Sequence, residues 1–230
     1  MKAAPSGFDR VARVYRAMEY LSFGPMLERC RFYFLPGLVH CRRALVLGDG
    51  DGRFVARLLA ANRHLHADAV DASAAMLDLE RKRVSREGGE LRLRTVCADA
   101  RSFEPRSSGY DLIATHFFLD CLTEAETDQL IARGRRHLAP GALWVVSEIQ
   151  IPEGGRFRAW LARSIVAALY AAFGVLTGLT VREIPPWRTL LARHGFVRRA
   201  QRGWLGGLLV SELWELPEAT LPRAARSHQP

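Results

Sequence analysis

The stretch ALVLGDGDGRFVARLL, which starts at Ala44, holds five residues whose types and spacing suit a ligand cradle: Gly48, Asp49, Gly50, Asp51 and Gly52. A short apolar run ends on the first glycine, and a helix-like pattern starts just past the third. Bare backbone at a strand end lets a ligand come closer than a Cβ would allow. A phosphate-binding turn has a similar outline, because glycine N–H groups and a helix N-terminus both favour negative charge. The dinucleotide fingerprint is G-x-G-x-x-G, however, and here the glycines alternate with aspartates. Two like charges about 4 Å apart repel by about 4 kcal/mol at an effective dielectric of 20. The turn therefore calls for a ligand without phosphate, preferably a cationic one.

S-adenosylmethionine has that make-up: an adenosine, a sulfonium and an amino-acid end with an ammonium. Other residues fall in register with it. Asp71 follows the turn by roughly 20 residues, where a carboxylate accepts from ribose hydroxyls. Asp99 stands at the end of the next strand, where it could meet the adenine amino group. His116 and Phe117 follow a further strand and would lie beside the ligand. Within the turn, Asp49 is read as facing the ligand and Asp51 as capping the next helix. His116 is also a candidate base, since its unperturbed pKa lies near neutrality; it could equally be a shape-filling residue. Asp120 and Tyr15 are further candidates for polarising an acceptor. Methyl transfer from a sulfonium needs mainly in-line approach, so positioning can supply much of the rate without an essential base.

The elements that must carry these residues alternate along the chain. Residues 44–47 read as a buried strand and 53–61 as a helix. Residues 67–71 form a second strand, and Ser73 caps a helix through Met76, Leu77 and Leu79 that stops before Gly88. The third strand starts at Leu91 and closes on Asp99, and the fourth starts at Tyr110. Thr123 and Glu126 have capping-box spacing. Pro140-Gly141 turns into a fifth strand. Repeated strand–helix units imply a parallel sheet covered on both faces. The pattern then changes: a short helix from Trp187 ends at Gly195, and two strands follow as an antiparallel hairpin. The first forty residues read as helical.

A chain of 230 residues suits one domain with a full core. The net charge of +9 is nearly all arginine, with Lys2 and Lys82 the only lysines. The clusters at Arg81, Arg133 and Val197 have no interleaved aromatics for stacking on bases. Enzymes that methylate nucleic-acid amines carry [DN]-P-P-[YFW] after the fourth strand, where this chain has Thr115-His116-Phe117-Phe118. A nucleic-acid acceptor is accordingly disfavoured. The four cysteines show no ligand spacing, so neither a bound metal nor a disulfide framework is expected. With no signal-peptide pattern at the N-terminus, a cytoplasmic location is expected.

The segments VLGDGDGRF, VDAS at Val70, CADA at Cys97, YDLIATHFFLDCL and LAPGALWVVSE at Leu138 together resemble the class I S-adenosylmethionine-dependent methyltransferases. The resemblance implies a Rossmann-like α/β fold with a seven-stranded sheet in order 3-2-1-4-5-7-6, the last strand antiparallel. It also brings Ala72, Met76 and Ala100 into the cofactor set. The N-terminal FDRVARVY…YLSFGPMLERCR is similar to the ubiquinone/menaquinone-biosynthesis C-methyltransferase group. There, the segment caps the cofactor and lines the acceptor pocket, which implies a helical cap over 1–40, a methyltransferase domain over 41–216 and a frayed tail over 217–230. Tyr15 and Phe118 would line the pocket. The chain departs from the family at Val46, where an acidic residue is usual; Asp49 is the nearest replacement. A fold kept only for binding is the reading that Val46 would favour.

Residues 164–181 carry no charge and approach the length of a membrane span. They include Gly174 and Gly178, and they sit between strands of the sheet. The resemblance makes the region of about 152–180 a helical lid. Phe157, Trp160, Tyr170 and Phe173 would then face a small, hydrophobic or aromatic acceptor. The flanking arginines would allow reversible contact with a membrane surface.

Overall fold

The computed structural model describes residues 23, 25–152 and 184–218. Helix α1 (Met26–Phe32) and a short 3-10 turn lead into β1 (Arg43–Leu47). Then come α2 (Arg53–Ala61), β2 (His66–Asp71), α3 (Ala74–Arg86), β3 (Leu93–Cys97) and β4 (Tyr110–His116). Next are α4 (Glu124–Arg136), β5 (Leu138–Ile149), α5 (Trp187–Arg193), β6 (Val197–Trp204) and β7 (Leu209–Glu215). The seven strands form one sheet in order β3-β2-β1-β4-β5-β7-β6. β7 runs antiparallel to both neighbours, and the other pairings are parallel. This is the expected class I topology.

Strands buried on both faces read as unbroken apolar runs, and β1 shows why. Leu45 and Leu47 pack with Ile113, Trp144, Val146 and Leu190 on one face. Ala44 and Val46 pack with Phe54, Val55, Leu58 and Ala114 on the other. Val46 is thus a core residue of the α2 layer.

Side-chain caps open two of the helices. The Ser73 hydroxyl accepts from the N–H of Met76 at 3.2 Å. Thr123 and Glu126 form the reciprocal capping box that opens α4. Two boundaries differ from expectation. β3 starts at Leu93, because Leu91 lies exposed in a 3-10 turn held by Arg92, whose Nη1 bonds the carbonyl of Asn62 at 2.8 Å. β5 starts at Leu138 rather than after Gly141. The Pro140-Gly141 pair is absorbed as a bulge, where pairing jumps from Tyr110–Leu138 to Leu112–Leu143 and Gly141 takes a φ of 75°.

The expected N-terminal cap lies largely outside the described residues, as do Tyr15 and the lid with Phe157, Trp160, Tyr170 and Phe173. Among the described residues no helix is long and apolar enough to cross a membrane. Among them, no cluster of three or more His, Cys, Asp or Glu could hold a metal ion.

Candidate cofactor and acceptor site

Parallel strands place their C-terminal ends along one edge of a sheet, where an open α/β fold binds ligands. The turn after β1, Asp71 at the end of β2, Asp99 after β3, residues 116–121 and Glu148 all gather there. Gly48, Gly50 and Gly52 have φ of 65°, 65° and 75°. That left-handed run reverses the chain sharply and decides where the two aspartates point. Asp49 turns beneath α2 and accepts from the N–H groups of Phe54 at 3.4 Å and Val55 at 3.0 Å. Asp51, equally buried, turns to Arg53 at 2.9 Å and Arg83 at 2.7 Å. The helix-capping role expected of Asp51 thus falls to Asp49, and Asp51 joins an arginine network.

Gly52 is also where α2 meets α3. A methyl group there would lie 2.6 Å from Cα of Glu80. Backbone cannot yield cheaply, and φ is already unfavourable for an L residue. Gly52→Ala should therefore cost about 2–3 kcal/mol of stability in urea unfolding. A wild-type midpoint would show that the two helices are not so tightly apposed.

The sequence did not mark Glu80, yet it is central to the electrostatics. It is buried, and its Oε1 has no hydrogen-bond partner among the described residues. Burial, then the charges of Asp49 and Asp71, push its carboxyl up to about 9. Burial likewise pushes Asp49 up to about 7, with the Arg31 charge acting the other way. Arg31 is itself 1% exposed, and its guanidinium lies 5.5 Å from the ring centroid of Phe117. A carboxyl raised this far holds its proton near neutral pH, and a cation bound beside it would favour the ionised form.

Asp71 accepts from the N–H of Ser73 at 2.8 Å, which fixes its side chain at the strand end beside Ala72. Met76 is buried one turn into α3. Asp99 forms a close pair with Arg101, at 2.6 Å, which holds its carboxyl below the usual range; Arg101 reaches on to Glu126. Ala100 beside it is buried.

His116 is 2% exposed, with Nδ1 2.9 Å from the Ser147 hydroxyl. That hydroxyl also lies 3.3 Å from the carbonyl of Cys30 and 3.0 Å from Ser211. If Nδ1–H donates to Ser147, the serine keeps its own proton for Cys30, and Nε2 is the bare lone pair. Burial, then Arg31, keep the ring neutral by holding its pKa well below the usual value. Nε2 has no hydrogen-bond partner among the described residues, and the Phe54 ring packs 4.2 Å away, centroid to centroid.

The loop after β4 carries Phe117, Phe118 and Asp120. A methyl on Gly48 would sit 2.2 Å from Cδ2 of Phe118, so this ring rests directly on the glycine turn. Burial pushes the carboxyl of Asp120 up to about 6. Glu148, also unmarked in the sequence, is fully buried; burial and then Asp120 hold its carboxyl well above the normal range. The available signal was a charged residue in a buried apolar stripe. Glu80 lies four residues from Met76 and from Val84 on α3, and Glu148 closes an apolar run in β5.

Residues 44–141 match the family model described as a methyltransferase domain. N-terminal Xaa-Pro-Lys N-methyltransferase 1 of Rattus norvegicus is 30% identical over 111 residues, covering 48% of this chain and 49% of that protein. The chain thus spans about half the length of the curated relative it matches. An O-methyltransferase family protein from Burkholderia thailandensis shares the fold with a TM-score of 0.67 at 16% identity, over 95% of this chain and 65% of that one. N-methyltransferase NodS from Bradyrhizobium japonicum WM9, solved in complex with S-adenosyl-L-homocysteine, gives 0.60 at 16% identity, over 84% and 88% of the two chains. The fold these structures share is that of the class I, S-adenosylmethionine-dependent methyltransferases. This chain has that fold, and its residues 44–141 are similar to a methyltransferase domain.

Proposed function

We propose that this protein transfers a methyl group from S-adenosylmethionine to a small, hydrophobic or aromatic acceptor. The observation that carries the reading is the turn after β1, where three left-handed glycines lie among Asp49, Asp51, Asp71 and Glu80. Its bare backbone admits the methionine end of the cofactor closely, and its acidic surroundings suit an ammonium and a sulfonium. Asp71 would take the ribose hydroxyls, Met76 and Ala100 would flank the adenine, and Phe117 and Phe118 would bound the methionine side. The cofactor supplies an electrophilic methyl on sulfur; the chain's part is to exclude water and hold the acceptor in line. Neutral His116 would present Nε2 as an acceptor of a proton or a hydrogen bond.

Within the class, the N-terminal segment supports kinship with the ubiquinone/menaquinone-biosynthesis group, and so an acceptor with a ring. The free cysteines Cys30, Cys41, Cys97 and Cys121 are in keeping with a reducing cytoplasm. The identity to N-terminal Xaa-Pro-Lys N-methyltransferase 1 favours a second reading, in which the acceptor is a peptide N-terminus. Incubation with methyl-labelled cofactor and a lysate divided into lipids, small molecules, peptides and RNA separates the two. Label in the lipid or small-molecule fraction supports the first reading, and label in peptides the second. Asp71→Ala should weaken S-adenosylhomocysteine binding at least about tenfold by calorimetry while leaving the fold intact. Unchanged affinity would remove the ribose assignment.

A further inference from the structure

Glu148 sits at the end of β5, but its contacts belong to the loop after β4. Its Oε1 accepts from the N–H groups of Phe118 at 3.1 Å and Leu119 at 2.7 Å. The N–H of Phe117 donates to the carbonyl of Ser147 at 2.7 Å. Three successive amides are thus bound by two adjacent residues of one strand. They hold a turn that the chain would not choose unaided. Phe117 has a φ of 54°, in the left-handed region that a bulky residue rarely enters. Such a conformation costs on the order of 1–3 kcal/mol and persists only where its surroundings over-determine it.

The turn has a specific product. It lays the Phe118 ring on Gly48, where even one added carbon would overlap the ring. Gly48 is the first residue of the candidate cofactor turn, so Phe118 forms the wall between β1 and β4. We propose that Glu148 is a positioning residue for this crevice: by binding two amides it fixes the Phe118 ring against Gly48 and sets the crevice width. The cofactor's identity rests on the reading above, but the loop geometry stands apart from it. An acid is suited to the task because one oxygen can accept from both amides, whether or not the other carries a proton. Oε2 has no hydrogen-bond partner among the described residues and faces the charge of Asp120, so a glutamine should serve in its place.

Three variants test this by amide hydrogen exchange and by calorimetry with S-adenosylhomocysteine. Glu148→Gln should keep Phe118 and Leu119 protected and bind within about twofold of wild type. Glu148→Leu should speed exchange of those two amides at least about tenfold, leave Ala114 and Val145 unchanged, and weaken binding about tenfold. Phe118→Ala should weaken binding to a similar degree while both amides stay protected, so the proposal remains testable if Glu148→Leu fails to fold. Unaltered exchange at Phe118 and Leu119 in Glu148→Leu overturns the proposal. So does a loss of protection across all of β4 and β5, which would mark a general role in stability, or wild-type binding by Phe118→Ala. If the wild type gives no heat with S-adenosylhomocysteine, the cofactor reading falls and the exchange experiment still decides the role of Glu148.

Discussion

Acidifying the ligand-free protein from about pH 8.5 to 6.5 should stabilise it by about 3 kcal/mol. Glu80 dominates this effect. Its carboxyl is raised to about 9 in the fold from an ordinary 4.5, first by burial and then by Asp49, Asp71 and Asp51. Between those two values the native state holds a proton that the unfolded chain has lost, so stability falls as pH rises. Each pH unit inside the window is worth about 1.4 kcal/mol per group. Asp49, raised to about 7, adds the same sign below that value, and Glu148 acts in the same direction. His116 opposes them. Its pKa is depressed by burial, so below about 6.5 the unfolded chain takes up a proton that the native state refuses, and the gain should level off. Paired carboxylates such as Asp99, Glu126 and Asp128 are lowered, so their contributions are lost only in stronger acid. Urea unfolding at three pH values reads the slope, and Glu80→Gln should remove most of it. A stability that is flat or rises with pH over this range would contradict the assignment.

Replacing Glu212 by leucine should cost about 3–5 kcal/mol. This β7 carboxylate is fully buried, and four donors from three elements converge on it. The indole N–H groups of Trp187 and Trp214 reach Oε2 at 3.3 Å and 3.0 Å. Arg188 and Arg198 reach Oε1 at 2.6 Å and 3.2 Å. The two arginines are partly exposed and can turn to water, but both tryptophans are buried and their N–H groups would be stranded. Glu212→Gln keeps an acceptor for one side of the arrangement and should lose about half as much. Chemical unfolding followed by tryptophan fluorescence gives both values. A leucine variant within about 1 kcal/mol of wild type would mean that the indoles find other acceptors.

The topology was legible because it depends on patterns that local chemistry enforces. Apolar runs such as residues 44–47 must be buried on both faces, and Ser73 and the Thr123–Glu126 pair fix helix starts regardless of what packs on them. The closing hairpin could be read from two strand-like runs with almost nothing between them. The glycine turn was legible as a ligand cradle, but the division of labour between Asp49 and Asp51 was not. Positive φ values at three alternate residues, Gly48, Gly50 and Gly52, rotate these side chains in a way that spacing alone does not convey. The buried acids were hidden for another reason. Glu80 and Glu148 look like surface residues until the layers close over them, and their partners lie on other strands and helices. Pro140 and Gly141 signal a turn locally, yet pairing with β4 carries the strand straight through them.

The place of β7 bears on how the protein is made. It lies between β5 and β6, yet it leaves the ribosome after both. Until residues 209–215 emerge, the growing chain exposes one unpaired margin of β5 and leaves β6 without its β7 partner, and Ser147 lacks its Ser211 neighbour. Such margins recruit foreign strands. The sheet therefore closes by insertion of an interior strand, which makes the nascent chain most vulnerable to clumping just before β7 emerges and most dependent on holdase protection there.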